Sequence, residues 1–177
     1  MDKVMEFLNS VGDQLSSKQL KVGFLENSTY PDGTSVPMVA AANEFGNPVS
    51  GSPPRPFFRN AIAESASKWS ENIETLMLNS NGNTEQVLNL MGQVIADDVK
   101  RSIGTLVSPA LSPVTILLRD RFPMRSGMMF DDVLRAREDV KRGVKGSGST
   151  KPLIWTGHMQ SSVDYEVGEI ESPTDSQ

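Results

Sequence analysis

Two long stretches of apolar residues at helical spacing constrain this chain more than any other feature. In the first, apolar side chains recur at steps of three and four residues: Phe58, Ile62, Ala66, Trp69, Ile73 and Leu76. The second repeats that spacing with Leu88, Met91, Ile95 and Val99, after a capping pair of Asn83 and Gln86. Because residues 79–82 leave only a short connection, we expect two antiparallel helices, with the first stripe buried in the core.

Shorter segments surround these helices. Alternating apolar and polar residues predict strands around residues 20–24 and 163–167, and a third strand over 151–156. Three further helices are predicted: residues 2–16, a short helix capped by Ser35 and ending at Gly46, and a charged helix over 131–144. The predicted fold class is therefore α/β of the α+β type: a single domain over residues 1–177, with two long antiparallel helices packed on a small, mostly antiparallel sheet.

Three segments fall outside this regular pattern. Residues 46–56 contain four prolines, which predict an extended, stiff arm. Residues 105–150 predict a long charged excursion with a flexible glycine–serine hinge at 146–150, too polar for so small a domain to bury. The polar residues 171–177 predict a disordered tail.

Composition excludes several classes of function. The chain has no cysteine, which removes disulfides and thiolate chemistry, and its single histidine, His158, cannot form a multi-histidine metal site. The net charge is −5, and residues 1–100 carry 7 basic and 12 acidic side chains, unlike a general nucleic-acid coat. No apolar run reaches the roughly 18 residues that a membrane span needs. We therefore expect no metal, no cofactor and no membrane partner.

Two motifs suggest catalysis but fit it poorly. The glycine-rich segment 143–151 is not a phosphate loop, because Lys151 comes after the Ser-Thr pair instead of directly following the last glycine. His158 with a nearby serine would suit a small hydrolase, yet no G-x-S-x-G elbow is present. The acidic pairs at 97–98 and 131–132 favour solvated helix faces and caps, because adjacent helical residues diverge by about 100°. We therefore predict that no residue is catalytic.

A basic run keeps a DNA-contacting role open. Its members are Arg135, Arg137, Lys141, Arg142, Lys145 and Lys151, interrupted by Glu138 and Asp139. Without interleaved aromatic residues for base stacking, the run is more typical of a solvated face or of a contact with an acidic neighbouring subunit. A DNA-contacting packaging accessory and a small hydrolase using His158 thus remain as alternatives.

Four segments in a fixed order carry a resemblance to a known family. They are MVAAANEFGNP (38–48), PPRPFFRNAI (53–62), SPALSPVTI (108–116) and KPLIWTGHMQSSVDYEV (151–167). This order resembles the small neck and tail-completion proteins of long-tailed bacteriophages, including the virion-morphogenesis group. The charged piece 117–150 departs most from the family pattern.

The resemblance implies a structural virion protein rather than an enzyme. Subunits of this kind form rings, often hexameric, at the junction of head and tail. Their neighbours are the head–tail connector and the tail terminator or tube proteins, and DNA passes through the channel. The protein is then expected in the virion neck after synthesis in the host cytoplasm.

The arm and its flanks are the predicted subunit interface: Glu44, Phe45, Pro53, Pro54, Arg55, Pro56 and Phe57. Arg55 lies between prolines, so we expect it to point outward towards a carboxylate on a neighbouring copy, such as Glu44. At least one of Phe57 and Phe58 is expected to remain in its own core.

Overall fold

A computed structural model describes Met5, Gly12 and residues 17–80, 83–124 and 127–170. The predicted helix 2–16, apart from the isolated Met5 and Gly12, and the predicted disordered tail 171–177 lie outside the described residues. The described elements, in chain order, are β1 (Lys18–Phe24), α1 (Val36–Phe45), α2 (Phe57–Asn79), α3 (Thr84–Thr105), α4 (Pro113–Arg121), α5 (Phe130–Lys141), α6 (His158–Ser161) and β2 (Val163–Glu169). The protein therefore has the predicted mixed α+β composition.

The sheet joins the two ends of the described chain. β1 and β2 pair antiparallel over their full length, with Lys18 opposite Glu169 and Phe24 opposite Val163. The third strand predicted over 151–156 is wrong, because those residues form turns and bends. The physical reason is that the carbonyl groups of residues 149, 151, 152 and 154 accept hydrogen bonds from the guanidinium group of Arg119 instead of a neighbouring strand.

Helix α3 covers the sheet, and α2 packs against α3. Gly92 makes the first contact possible, since a Cβ atom there would lie 2.2 Å from the ring of Tyr165. At the other contact, Ser102 near the end of α3 donates a 2.7 Å hydrogen bond to the carbonyl of Phe57 at the start of α2. Around these contacts lies the main core: Val36, Ala40, Phe57, Ala61, Ala96, Val99, Ile103, Leu106, Leu153, Met159 and Val163.

The two long helices differ in how well their periodicity predicted burial. On α3, Met91 and Val99 are buried as expected. On α2, the predicted core stripe is wrong in part: Ile62 is 43% exposed and Ile73 is 36% exposed, whereas Phe58, Trp69 and Leu76 are half-buried. The buried face of α2 is instead formed by Phe57, Ala61 and Ser65, to one side of that stripe. Periodicity identifies an apolar face but not the neighbour that covers it.

The predicted helix boundaries are set by local capping. The side chain of Ser35 accepts from the backbone N of Met38 and begins α1, which ends at Gly46 in a positive-φ conformation. The side chain of Asn83 likewise accepts from the backbone N of Gln86 and begins α3. The structure confirms both predicted helix starts. They could be predicted from the sequence because capping depends only on neighbouring residues.

The excursion 105–150 contains two packed helices around a small apolar cluster. Leu117 and Leu118 of α4 pack against Ala136 of α5, the charged helix predicted from the sequence. Helix α4 was not predicted. The prediction of a flexible hinge at 146–150 is also wrong, because Gly146 packs closely on α4. A Cβ atom at this position would lie 2.6 Å from Cα of Leu117, so only glycine fits there.

Among the described helices, none is both long and apolar enough to cross a membrane.

Candidate functional site

The proline-rich segment 46–56 folds back on the end of α1. Asn47 and Ser52 exchange backbone hydrogen bonds of 2.9 and 3.0 Å across a tight turn. The backbone N of Arg55 then donates to the carbonyl of Asn43 at 2.7 Å. The segment is thus held against its own subunit at both ends of the turn.

Glu44 connects the end of α1 to the start of α2. Its side chain is almost fully buried and accepts hydrogen bonds from the backbone N of Phe58 at 2.9 Å and of Arg59 at 3.3 Å. The Nε atom of Arg59 adds a 2.8 Å ion pair to the same carboxylate. A carboxylate in this position satisfies free amides at the start of α2 and interacts favourably with the positive end of the helix dipole. Glu44 therefore acts within its own chain.

The predicted interface residues differ in how far they are exposed to solvent. Phe45, Pro53 and Pro54 are exposed, Pro56 is half-buried, and Glu44, Arg55 and Phe57 are buried. Phe57 packs edge-on against Phe24, which confirms that one of the two phenylalanines belongs to its own core. The expected outward direction of Arg55 is wrong, because the side chain turns inward against α4 and the segment before it. Contact with a second copy through the exposed members stays a prediction.

Arg55 lines a cavity of about 690 Å³ that sequence analysis did not anticipate. The cavity lies between the turn at 50–53, the start of α4 and the segment 152–155. Its polar and aromatic walls include Asn43, Ser52, Arg55, Thr115, Arg119 and Trp155. Both arginines are buried, with 7% of Arg55 and 8% of Arg119 exposed. Arg119 directly follows the apolar run Ile116, Leu117 and Leu118, and that arrangement was the available sequence signal for a buried cation.

Arg119 is held by main-chain carbonyl groups. Its two terminal nitrogens donate at 2.6 Å to Lys151, 2.8 Å to Ile154, 2.8 Å to Pro152 and, more weakly, 3.4 Å to Ser149. Its guanidinium carbon also lies 5.4 Å from the centre of the Trp155 ring. A guanidinium group has five N–H donors, and the Nε of Arg119 is buried without a hydrogen-bond partner.

The charges of the two arginines are not balanced by a described acidic side chain. Among the described residues, the side chain of Arg55 donates one hydrogen bond, a 3.4 Å contact from Nε to the carbonyl of Pro109. Neither arginine forms an ion pair with a described carboxylate. Burial lowers the pKa of Arg55. Burial, together with the charge of Arg55, lowers the pKa of Arg119 to about 10. The cavity wall therefore carries two positive charges that are largely withdrawn from water.

Within the described part of the chain, His158 does not form the hydroxyl–imidazole pair that a hydrolase would need. Its Nε2 atom lies 2.9 Å from the carbonyl oxygen of Thr29, and its ring packs on Tyr30 with centroids 4.8 Å apart. The hydroxyl groups of Ser161 and Ser162 donate to the main-chain carbonyl of His158 rather than to its ring. The described residues also contain no group of three side chains suited to a metal ion.

The basic run on α5 is interlaced with acids. Asp139 accepts from Arg121 at 2.7 Å and lies 3.9 Å from Arg142, and Glu138 pairs with Lys141 at 2.7 Å. Three of the six cations in the run, Arg135, Lys141 and Arg142, thus lie beside described carboxylates. A surface of this mixed charge favours pairing with a protein over neutralising a row of phosphates.

Comparison with protein-family models, with curated proteins and with solved structures gives no match for this chain.

Proposed function

We propose that this chain is a structural subunit of the neck or tail-completion region of a tailed bacteriophage, and that it works by forming a ring. Its location would be the head–tail junction of the virion, between the connector and the tail terminator or tube proteins. Catalysis has no part in this proposal. The order of the four sequence segments suggests the class of protein, a phage neck subunit. The exposed apolar surface of α2 is the structural observation that supports the proposal.

That surface follows from the geometry of α2. Ile62 and Ile73 are eleven residues apart, which brings them within about 20° of each other around the helix and about 16 Å apart along it. Ala66, between them on the same side, is also exposed. We infer that the adjacent copy covers this apolar row on an otherwise charged helix.

In the proposed subunit, α2 and α3 run antiparallel, α3 rests on the sheet, and α2 offers its outer face to the adjacent copy. The exposed ring of Phe45, 70% of which is accessible, lies at the end of α1 beside the start of α2 and would extend the same contact. Closed rings need one surface on each copy to meet a different surface on the next, which leaves the charged α5 free as the complementary side.

Sedimentation velocity on the purified full-length chain tests this proposal. The parent should sediment as a closed oligomer, and Ile73→Glu should shift it towards the monomer, because a charge would be buried at the contact. Ser67→Glu is the matched control, since it adds the same charge to an exposed position about 120° away around α2.

Circular dichroism must show that both variants keep the parent's helix content. A parent that is monomeric at all concentrations, both alone and with purified phage heads, would refute the ring. An Ile73→Glu variant that assembles as well as Ser67→Glu would remove the α2 contact.

A further inference from the structure

We propose that the cavity between the turn at 50–53, the start of α4 and the segment 152–155 is a binding site for an oxyanion, with Arg55 and Arg119 as its two cationic ligands. The inference does not depend on the proposed α2 contact, because both arginines belong to one copy of the chain and the cavity is formed by other segments.

Burying Arg55 and Arg119 side by side without an anion costs free energy. Two like charges are buried in the wall of one cavity, and the described part of the chain supplies no carboxylate to either. Charges withdrawn from water are retained at low cost only when an opposite charge or a full set of hydrogen bonds compensates them. An anion between the two guanidinium groups would compensate both at once.

Arg119 is held rigidly by its surroundings. Carbonyl groups of the segment 149–154 and the ring of Trp155 hold its guanidinium group in one orientation. A guanidinium group held in this way loses little conformational entropy on binding. Because Nη1 donates to Lys151 and Ile154 and Nη2 donates to Pro152, the donors that remain for an oxyanion are Nε and the second N–H of Nη2. By contrast, Arg55 has only a weak contact to Pro109 and keeps terminal donors for a ligand.

The remaining walls of the cavity add polar groups and the start of a helix. Helix α4 begins at the cavity, where its N-cap Ser112 and its first-turn residue Thr115 are lining residues. The positive end of a helix dipole adds to the attraction for an anion. Ser50, Ser52 and Asn43 contribute further polar groups. The cavity volume, about 690 Å³, lies in the range of small-ligand pockets.

Two sources of oxyanion fit this chemistry: a free small anion, or a carboxylate side chain inserted by a second copy. The probe is inorganic phosphate, titrated against chloride at constant ionic strength and followed by thermal unfolding of the full-length chain. The unfolding temperature of the parent should rise with phosphate, because a ligand that binds only the folded state stabilises it.

Arg55→Gln should weaken the apparent phosphate affinity by roughly tenfold or more, as expected for loss of a charged hydrogen-bond partner. In chloride alone this variant should be as stable as the parent or more so, since Arg119 would lose a repelling neighbour. Arg137→Gln is the matched control: it removes the same charge from an exposed position on α5 and should keep the parent's response. Should Arg55→Gln fail to fold, Arg55→Lys carries the test, with an intermediate affinity expected.

Sedimentation in chloride and in phosphate then identifies the source. Unchanged association in phosphate indicates a free anion, whereas dissociation indicates that phosphate displaces a carboxylate of a neighbouring copy, and either result supports the site. A parent that responds equally to phosphate and chloride overturns the proposal. So does an Arg55→Gln variant that is destabilised in chloride yet responds to phosphate like the parent, because Arg55 would then be a structural support only.

Discussion

Replacing Glu44 tests whether the NEFG and PPRPFF segments act together inside one subunit. Glu44→Ala would remove a buried carboxylate that accepts three hydrogen bonds, two from the backbone at the start of α2 and one from Arg59. Hydrogen bonds to a charged group contribute about 1.5–3 kcal/mol each when buried, and the helix dipole adds about 0.3–1 kcal/mol. The partner Arg59 has a 58% exposed side chain, so water would recover its share of the loss.

Phe58 is half-buried and Arg59 is exposed, so water also recovers part of the loss at their two amides. The expected cost of Glu44→Ala in free energy of unfolding is therefore about 2–4 kcal/mol. That is a large part of the roughly 5–15 kcal/mol typical of a domain, and for a chain of this size it lowers the unfolding temperature by roughly 4–16 °C. Urea unfolding followed by circular dichroism at neutral pH measures it. Glu44→Gln should lie between the parent and Glu44→Ala, because it keeps an acceptor but loses the charge.

Glu64→Ala is the matched control, since Glu64 is an exposed glutamate on α2 and its loss should change stability by no more than about 0.5 kcal/mol. Equal unfolding midpoints for Glu44→Ala and Glu64→Ala would show that Glu44 does not hold the start of α2. The reasoning would also fail if Glu44→Ala kept full stability but lost assembly, because the carboxylate would then serve a neighbouring copy.

Three further predictions concern packing and charge. Gly92→Ala should destabilise the protein by about 1–3 kcal/mol in urea unfolding, because its methyl group would overlap the ring of Tyr165, and equal stability would contradict the close contact of α3 with β2. Gly146→Ala should likewise cost about 1–3 kcal/mol and cause earlier proteolysis within the excursion, and an unchanged cleavage pattern would restore the hinge interpretation. Burial pushes the pKa of Asp98 up, but hydrogen bonds from Trp69 and Ser65 and the charge of Arg101 bring it below its ordinary 3.8. The stability that Asp98 provides is thus complete above about pH 3.8 and is lost as the pH falls through the lowered pKa. Trp69→Phe removes a 2.8 Å hydrogen bond to this carboxylate. The variant should therefore lose less stability than the parent on acidification, as measured by unfolding at a series of pH values.

Local patterns in the sequence determined the elements that depend on neighbouring residues alone. Ser35 and Asn83 marked the starts of α1 and α3, Gly46 marked the end of α1, and alternation marked β1 and β2. Each of these depends on backbone hydrogen bonds or side-chain directions within a few residues. For the same reason α4 was predictable: Ser112 followed by Pro113 is a helix start of the same kind as the one at α1.

What the tertiary structure alone decided is which partner each residue meets. The stripe of Ile62 and Ile73 is periodic whether it faces a core or water, so only the position of α3 shows that it lies outside. The segment 151–156 has the composition of a strand, but Arg119, more than thirty residues away, takes its carbonyl groups. In the same way, the charges of Arg55 and Arg119 meet in one cavity although 64 residues separate them. Contacts at such separations depend on the packing of the whole chain, and no periodicity or spacing within the sequence records them.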